Sequence, residues 1–450
     1  MKKKTVSLLL AAALAVGSLA GCSKSADGGS ADTAKETNAG TDTKAEEGTT
    51  TGSKDREKIV FWYFHTGDEG KVFEKAAEAF NESQDAYEVE ALSVSDKQKY
   101  IVAISGNESP DVIEISNQDV ISYASNGLLE NLGDMAAQTG FETEGLFSQQ
   151  AMESNTLDGG VFGLPLTSVV IQMFYNEDIL KELGYDGPPE TMEELYEMAV
   201  AATELDESGT ITRLGYPLFP LASARQELIY AFGGTWWEED GVTLTPQSQG
   251  VLDSLKMNVE FREKYGVQKV QEFIATANTN RYTENDMFFA GKQLFRFDGP
   301  WLATMISQYG PDINYGVTMI PGTKAHPEDR GSSRYETTAF GIPVVAKEKT
   351  GAWEFVKFLT ASDYTKEILM GIGSLPARLD LYEDADMLAQ PNFKAFIEAL
   401  KTENGIQYAK IPDLAKYTSL IEEYLDYVYN GMKTPEDAMA ELAEQTKMLE

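Results

Sequence analysis

The stretch from Ile59 to Ile115 limits the possible folds more than any other. Ile59-Val60-Phe61-Trp62-Tyr63-Phe64 is a short apolar run of the length a buried strand needs. Within Lys71–Asn81, the residues Val72, Phe73, Ala76, Ala77 and Phe80 recur at the spacing of one helical face. Tyr87–Val94 reads as a second strand, Lys97–Ser105 as a helix stopped by Gly106, and Val112–Ile115, after Pro110-Asp111, as a third strand. Strand-helix-strand-helix-strand is the pattern of a parallel sheet with covering helices. In such sheets ligands sit beyond the carboxyl ends of strands. Phe64, His65 and Asp68 after the first strand, and Asn117 and Gln118 after the third, are therefore the first candidate site residues.

The rest of the chain continues in mixed α/β style. After the turn Asp158-Gly159-Gly160, two strands are expected at Val161–Leu166 and Val169–Tyr175. Thr191 followed by Glu194 is a capping box opening a helix with Leu195, Met198, Ala199 and Ala202 inward. Phe232-Gly233-Gly234-Thr235-Trp236-Trp237 places two large aromatics on a turn. Gly291 is expected to end a helix, Gln293–Phe297 to form a strand, and Pro300 to start the next helix. Ala352–Leu359 is an apolar-faced helix, and Thr434-Pro435-Glu436-Asp437 caps the last one.

Ahead of this comes a different kind of sequence. Lys2, Lys3 and Lys4 precede an apolar run, Val6–Val16, which is too short to span a bilayer comfortably. Small residues then lead to Cys22, the single cysteine in the chain. The order resembles a bacterial lipoprotein signal. That resemblance implies removal of residues 1–21, acylation of Cys22 and a membrane anchor on the extracellular face, in an envelope of Gram-positive type. Residues 22–58 are small, polar and free of aromatics, so they are expected to form a disordered tether. Removing 21 of the 450 residues leaves more chain than one core usually organises, so two lobes are expected. A formal charge of −35 repels phosphate backbones, which excludes nucleic acid as a partner. It favours neutral or cationic ligands over anionic ones.

Several segments resemble, in order, the family-1 extracellular solute-binding proteins, the sugar-binding lipoproteins of ABC importers. They include Gly106-Asn-Glu-Ser-Pro-Asp111, Asp158-Gly-Gly-Val-Phe-Gly163-Leu-Pro165 followed by Phe174-Tyr175-Asn176-Glu177, Met287 to Trp301, and Ser374-Leu-Pro-Ala-Arg378. The likeness runs from about Ile59 to Glu450. It implies an α/β, two-lobed periplasmic-binding-protein-like (type II) fold with crossings near Leu166–Ser168, Gly331–Glu336 and Ala377–Leu379. One lobe would be residues 59–167 plus 336–378, the other 168–335 plus 379–450. It also implies a monomeric, non-enzymatic receptor without cofactor or metal, handing a carbohydrate to ABC permease subunits.

A sugar is held by amides and carboxylates that exchange hydrogen bonds, and by aromatic faces over its C–H patch. Trp236, Trp237, Asp298 and Trp301 join the candidate site from the second lobe, and Tyr335, Glu336 and Arg378 from the crossings. Competing structural roles stand beside several of these. Trp62 and Trp353 fit core positions, Asp298 fits a helix cap, and Arg378 fits a surface salt bridge. His65 fits an ordinary loop, and one of Trp236 and Trp237 can pack while the other faces the ligand. Asp298→Ala or Trp301→Ala is expected to weaken binding at least tenfold without unfolding. Val169 and Val170 stand at the first crossing, where some relatives carry a carboxylate, which argues against maltodextrin-type specificity. No GxSxG, HExxH or phosphate-loop motif is present, and there are two histidines. A glycosidase needs only two carboxylates, which 72 acidic residues always supply. A polyamine or peptide binder remains the alternative solute class.

Overall fold

The computed structural model describes residues 56–450 apart from 107, 218–222, 391, 412, 448 and 450. The leader, Cys22 and nearly all of the tether lie outside the described residues.

Strand β1 (Glu57–Tyr63), helix α1 (Gly67–Ser83), strand β2 (Tyr87–Ser93), helix α2 (Lys97–Ile104), strand β3 (Val112–Ser116) and helix α3 (Asn117–Ser125) follow the expected alternation. β1 runs parallel to β2, with Ile59 opposite Val89, and parallel to β3, with Phe61 opposite Val112. Glu57 and Lys58, assigned above to the tether, already pair with Tyr87 and Glu88. Strand pairing uses backbone groups, which side-chain composition does not reveal. The strands Thr338–Gly341 and Leu164–Pro165 complete a five-stranded sheet, both paired antiparallel.

Ile59, Phe61 and Tyr63 alternate along β1 and are fully buried on one face. Phe73 and Phe80 of α1 cover that face together with Phe355 of the helix Lys349–Ala361; the Phe61 and Phe355 rings meet edge-on at 5.2 Å. On the opposite face Trp62 packs edge-on against Tyr100 of α2 at 5.7 Å. Trp62 and Trp353 are thus packing residues, the latter 1% exposed.

A second, three-stranded sheet has Gln172–Asn176 in the middle, antiparallel to Phe295–Asp298 and Tyr315–Thr318. Its core is built from Met173, Phe295 and Phe297 with Leu195, Met198 and Ala199 of the helix Met192–Ala202. Thr191 caps that helix, its hydroxyl accepting from the Glu194 N–H at 3.2 Å. A third cluster gathers Trp236 with Tyr417, Leu425 and Leu442 of the last helices.

Some expected boundaries shift. The run Val161–Leu166 breaks into two-residue strands at Gly160–Val161 and Leu164–Pro165. Between them Gly163 passes so close to Ala339, Asn155 and Val120 that a Cβ would sit 3.0–3.1 Å away. Gly291 closes a series of turns at φ +67° rather than a helix. Pro300 lies ahead of the next helix, Leu302–Tyr309, whose N-cap is Trp301.

The three segments named as crossings lie side by side. Val169 and Glu336 exchange both backbone bonds, at 2.8 and 3.0 Å. Thr167–Ser168 pairs antiparallel with Leu375–Pro376, and the Ala377 N–H donates to the Leu166 carbonyl at 3.1 Å. The buried Tyr335 hydroxyl ties them together, 2.6 Å from Ser168 Oγ and 3.2 Å from Ser148 Oγ.

Candidate functional site

In the first sheet the strand order is β2-β1-β3. The chain leaves β1 toward β2 on one side and returns to β3 on the other, so the order reverses between β1 and β3. The carboxyl ends of strands flanking such a reversal leave a crevice. There the structure has a cavity of about 330 Å³, walled by Phe64, Tyr100 and Tyr123 and floored by Glu114.

Glu114 is a lone acid inside the apolar strand Val112–Ser116 and is fully buried. It accepts a hydrogen bond from the Phe64 N–H at 3.0 Å, and one of its oxygens lies 2.9 Å from His65 Nδ1. Burial pulls the imidazole pKa down. The hydrogen bond and charge of Glu114, aided by Glu69, outweigh it and hold His65 above its ordinary value of 6.5. The Phe64 and His65 rings stack at 4.7 Å. Lys97 and Asp119 close the rim with a 2.7 Å ion pair, and Ser116 Oγ caps α3. The buried Tyr100 hydroxyl has no hydrogen-bond partner among the described residues.

Asn117, one residue beyond Ser116, lines a second cavity of about 440 Å³. Its opposite wall is the loop Thr235–Gly241, whose course is set by the two glycines before it. Gly233 takes φ +66°, and a Cβ on Gly234 would sit 2.6 Å from the Val251 nitrogen. The chain is thereby pressed onto the helix Gln249–Tyr265, which drives Trp236 into the core and leaves Trp237 at the cavity. Trp237 Nε1 donates to the Gln407 carbonyl at 3.0 Å. Beside it, the Tyr408 hydroxyl donates to Glu336 at 2.7 Å, while the Arg334 guanidinium lies 5.4 Å from the centre of the Tyr408 ring. Arg334 also pairs with Glu336 at 2.8 Å. Behind them Glu227 is fully buried and accepts from the Arg334 N–H at 3.2 Å. Burial pushes its carboxyl up to about 8, against the opposing pull of Arg334.

The candidate residues separate into groups. Phe64 and His65 stand at the first cavity, Asn117 and Trp237 line the second, and Glu336 reaches the second through Tyr408. Gln118 is half-buried in the first turn of α3. Asp68 is exposed and paired with Lys71 at 2.8 Å. Trp236 is fully buried, which makes it a core residue rather than a wall. Asp298 neither caps a helix nor lines either of these two cavities: it is fully buried, 2.7 Å from Arg296 Nη2, while Arg296 pairs with the buried Asp286 at 2.8 Å. The Tyr282 hydroxyl donates to Asp298 at 2.8 Å and accepts from Trp301 Nε1 at 2.8 Å, so Trp301 is held by the same network. Tyr335 belongs to the crossings described above. Arg378 makes the salt bridge, 2.6 Å from Asp380, and donates to the Ser362 carbonyl.

Sequence reasoning passed over Glu114, Tyr408, Glu238 and Glu239. Glu114 had a signal, a charge in the middle of an otherwise apolar strand. Tyr408 follows the two-residue strand Gly405–Ile406, which no periodicity announces. Among the described residues no helix is long and apolar enough to cross a membrane, and no cluster of metal-ligating side chains occurs.

Comparison with known proteins agrees with this architecture. A family model described as bacterial extracellular solute-binding protein matches residues 75–395. The galactooligosaccharide-binding protein of Bacillus subtilis (strain 168) is 23% identical over 350 residues, covering 75% of this chain and 76% of that protein. The sn-glycerol-3-phosphate-binding periplasmic protein of Escherichia coli (strain K12) is 22% identical over 419 residues, covering 87% and 92%. The structure of CpMnBP1 with mannotriose bound superposes with a TM-score of 0.72 at 22% identity, covering 87% of this chain and all of that one. The fold is accordingly the two-lobed α/β fold of the periplasmic binding proteins.

Proposed function

Because the chain belongs to the bacterial extracellular solute-binding proteins, we propose that it is a receptor that captures a mono- or oligosaccharide and presents it to an ABC permease. One observation carries this reading. Two cavities share the step Ser116–Asn117 at the strand-order reversal, and each combines aromatic walls with carboxylates. Aromatic faces suit the C–H patch of a sugar ring, and carboxylates accept its hydroxyl hydrogens. The ligands named for the mannotriose and galactooligosaccharide relatives support the same class.

In this reading the lobes are residues 59–167 plus 336–378 and residues 168–335 plus 379–450. A ligand that touches both favours the closed population, and the hydrogen-bonded crossings act as the hinge. The receptor is a monomer that performs no chemistry on its ligand. Acylation at Cys22 and the tether would hold it at the outer face of the membrane, close to its permease.

The test is a thermal-shift screen of the purified protein against mono- and oligosaccharides, polyamines and short peptides. A ligand at a hundredfold its dissociation constant adds about 2.7 kcal/mol of stability. A shift confined to one saccharide class is the expected result. A shift with polyamines or peptides alone overturns the solute class, and release of reducing sugar overturns the receptor role.

A further inference from the structure

The first cavity contains a polar group that the fold leaves unsatisfied. Tyr100 is 4% exposed, its ring is fixed edge-on against Trp62 at 5.7 Å, and its hydroxyl bonds to no described residue. The groups that act on that hydroxyl electrostatically are Glu114, Tyr123 and Asp119, and all three wall the cavity, so the hydroxyl is aimed at it. Burial, reinforced by those carboxylates, holds its pKa above the ordinary 10 and keeps it a neutral phenol with a proton to give. The other polar groups of the lining are engaged or exposed. Glu114 accepts from the Phe64 N–H at 3.0 Å and lies 2.9 Å from His65 Nδ1. Ser116 Oγ and Lys97 Nζ both donate to Asp119 Oδ2, at 2.9 and 2.7 Å, which leaves Asp119 Oδ1 without a donor among the described residues. Ser95 and Lys97 are exposed at the rim. The remaining wall is apolar: Phe64, Val94, Ile115 and the two tyrosine rings.

A buried donor without an acceptor is costly, and a ligand oxygen that relieves it recovers that cost on binding. The group that suits this pocket therefore brings an acceptor to Tyr100, a small apolar body to Phe64, Val94 and Ile115, and a donor to Asp119. A secondary acetamide joins all three, as carbonyl oxygen, methyl and N–H. A sugar hydroxyl supplies no methyl, and an ammonium has no acceptor to offer the phenol. We propose that the first cavity takes the acetamido group of an N-acetylated amino sugar, and that Tyr100 is the residue that selects it over the hydroxyl sugar. This rests on the saccharide reading above and narrows it.

The experiment is calorimetric titration of the purified protein with N-acetylglucosamine, N-acetylgalactosamine, N-acetylmannosamine and their β-linked disaccharides, each beside its hydroxyl and amine forms. For the ring that binds, the acetamido form is expected to bind about tenfold more tightly than the hydroxyl form, and the amine form more weakly than the acetamido form. Tyr100→Phe should cut the ratio of acetamido to hydroxyl affinity about fivefold or more. In the unliganded protein the same variant should leave the urea midpoint unchanged or raised, because the hydroxyl it removes has no partner in the fold. A lowered midpoint shows that the hydroxyl serves the fold and overturns the proposal. So does an unchanged ratio in Tyr100→Phe, or a hydroxyl or amine form that binds as tightly as the acetamido form on every ring; in these cases the saccharide reading stands. Binding of spermidine or a short peptide with no saccharide of any form overturns both.

Discussion

Asp298→Ala separates a structural role from a ligand contact. The carboxylate accepts from Arg296 Nε at 2.9 Å, lies 2.7 Å from Arg296 Nη2, and accepts from the Tyr282 hydroxyl and the Gly299 N–H at 2.8 and 2.9 Å. All three charged groups are buried, with side-chain exposures of 3% for Arg296, 2% for Asp286 and 0% for Asp298. Truncation strips two guanidinium donors of their acceptor at a fully buried position. Breaking a buried pair typically costs about 3–5 kcal/mol. Asp286 still neutralises Arg296, so the low end, about 3 kcal/mol, is expected. That is a large fraction of the 5–15 kcal/mol or so that holds a typical domain together. A loss of stability is the outcome expected from this packing, whereas the sequence alone led to an expectation of weakened binding without unfolding, and the variant separates the two. The assay is equilibrium urea unfolding without ligand, followed by ligand titration well below the new midpoint. Asp298→Asn, which keeps the shape and one acceptor, should fall between the two. An unchanged midpoint combined with a tenfold loss of affinity would refute the reasoning and return Asp298 to the ligand.

Other perturbations probe the cavities. Glu227 holds its proton in the folded state up to about pH 8, against an ordinary value of 4.5, so its stabilising contribution is complete below pH 4.5 and is lost as pH rises through 8. Glu227→Gln should therefore gain stability relative to the parent between pH 5 and pH 8.5, read from unfolding midpoints. Tyr408→Phe removes the hydrogen bond to Glu336, worth about 1 kcal/mol of folding stability, so the melting temperature should fall by roughly 2 °C, read by thermal unfolding without ligand. The imidazole of His65 should titrate above 6.5 by NMR, with stability present in its protonated form and lost as pH passes through that raised value; Glu114→Gln should lower the midpoint.

The first half of the first sheet was legible because periodicity of two and of 3.6 are local properties. Phe61 and Phe73 announce their faces within a few residues of chain, and Thr191 and Thr434 announce their helices through caps that the structure reproduces. Strand ends follow from the strands, which is why Phe64, His65 and Asn117 were reachable. Trp237 and Tyr408 lie far apart in sequence and converge only through packing of the last helices, which no short-range pattern encodes. Asp298 is a different case. Arg296 and Asp298 alternate on one strand and share a face, so their pairing was available from the same period-two rule that found the strands. The turn that follows makes Asp298 fit a ligand contact or a helix cap as well, and the strand pattern alone does not choose among the three roles.

The loop Thr235–Gly241 has a consequence for how such a receptor changes over generations. One end is pinned by Gly233 and Gly234 against the helix Gln249–Tyr265, the other by the bond from the Lys410 N–H to the Gly241 carbonyl at 2.7 Å. The side chains of Glu238 and Glu239 between those pins are exposed and carry none of the sheet's packing. Substitutions there are nearly free of folding cost, while a change at Trp236 or Gly234 is not. A lineage under pressure to accept a new solute therefore has a short editable segment on the wall of the second cavity, insulated from the core, and neighbouring paralogues should diverge first at those two positions.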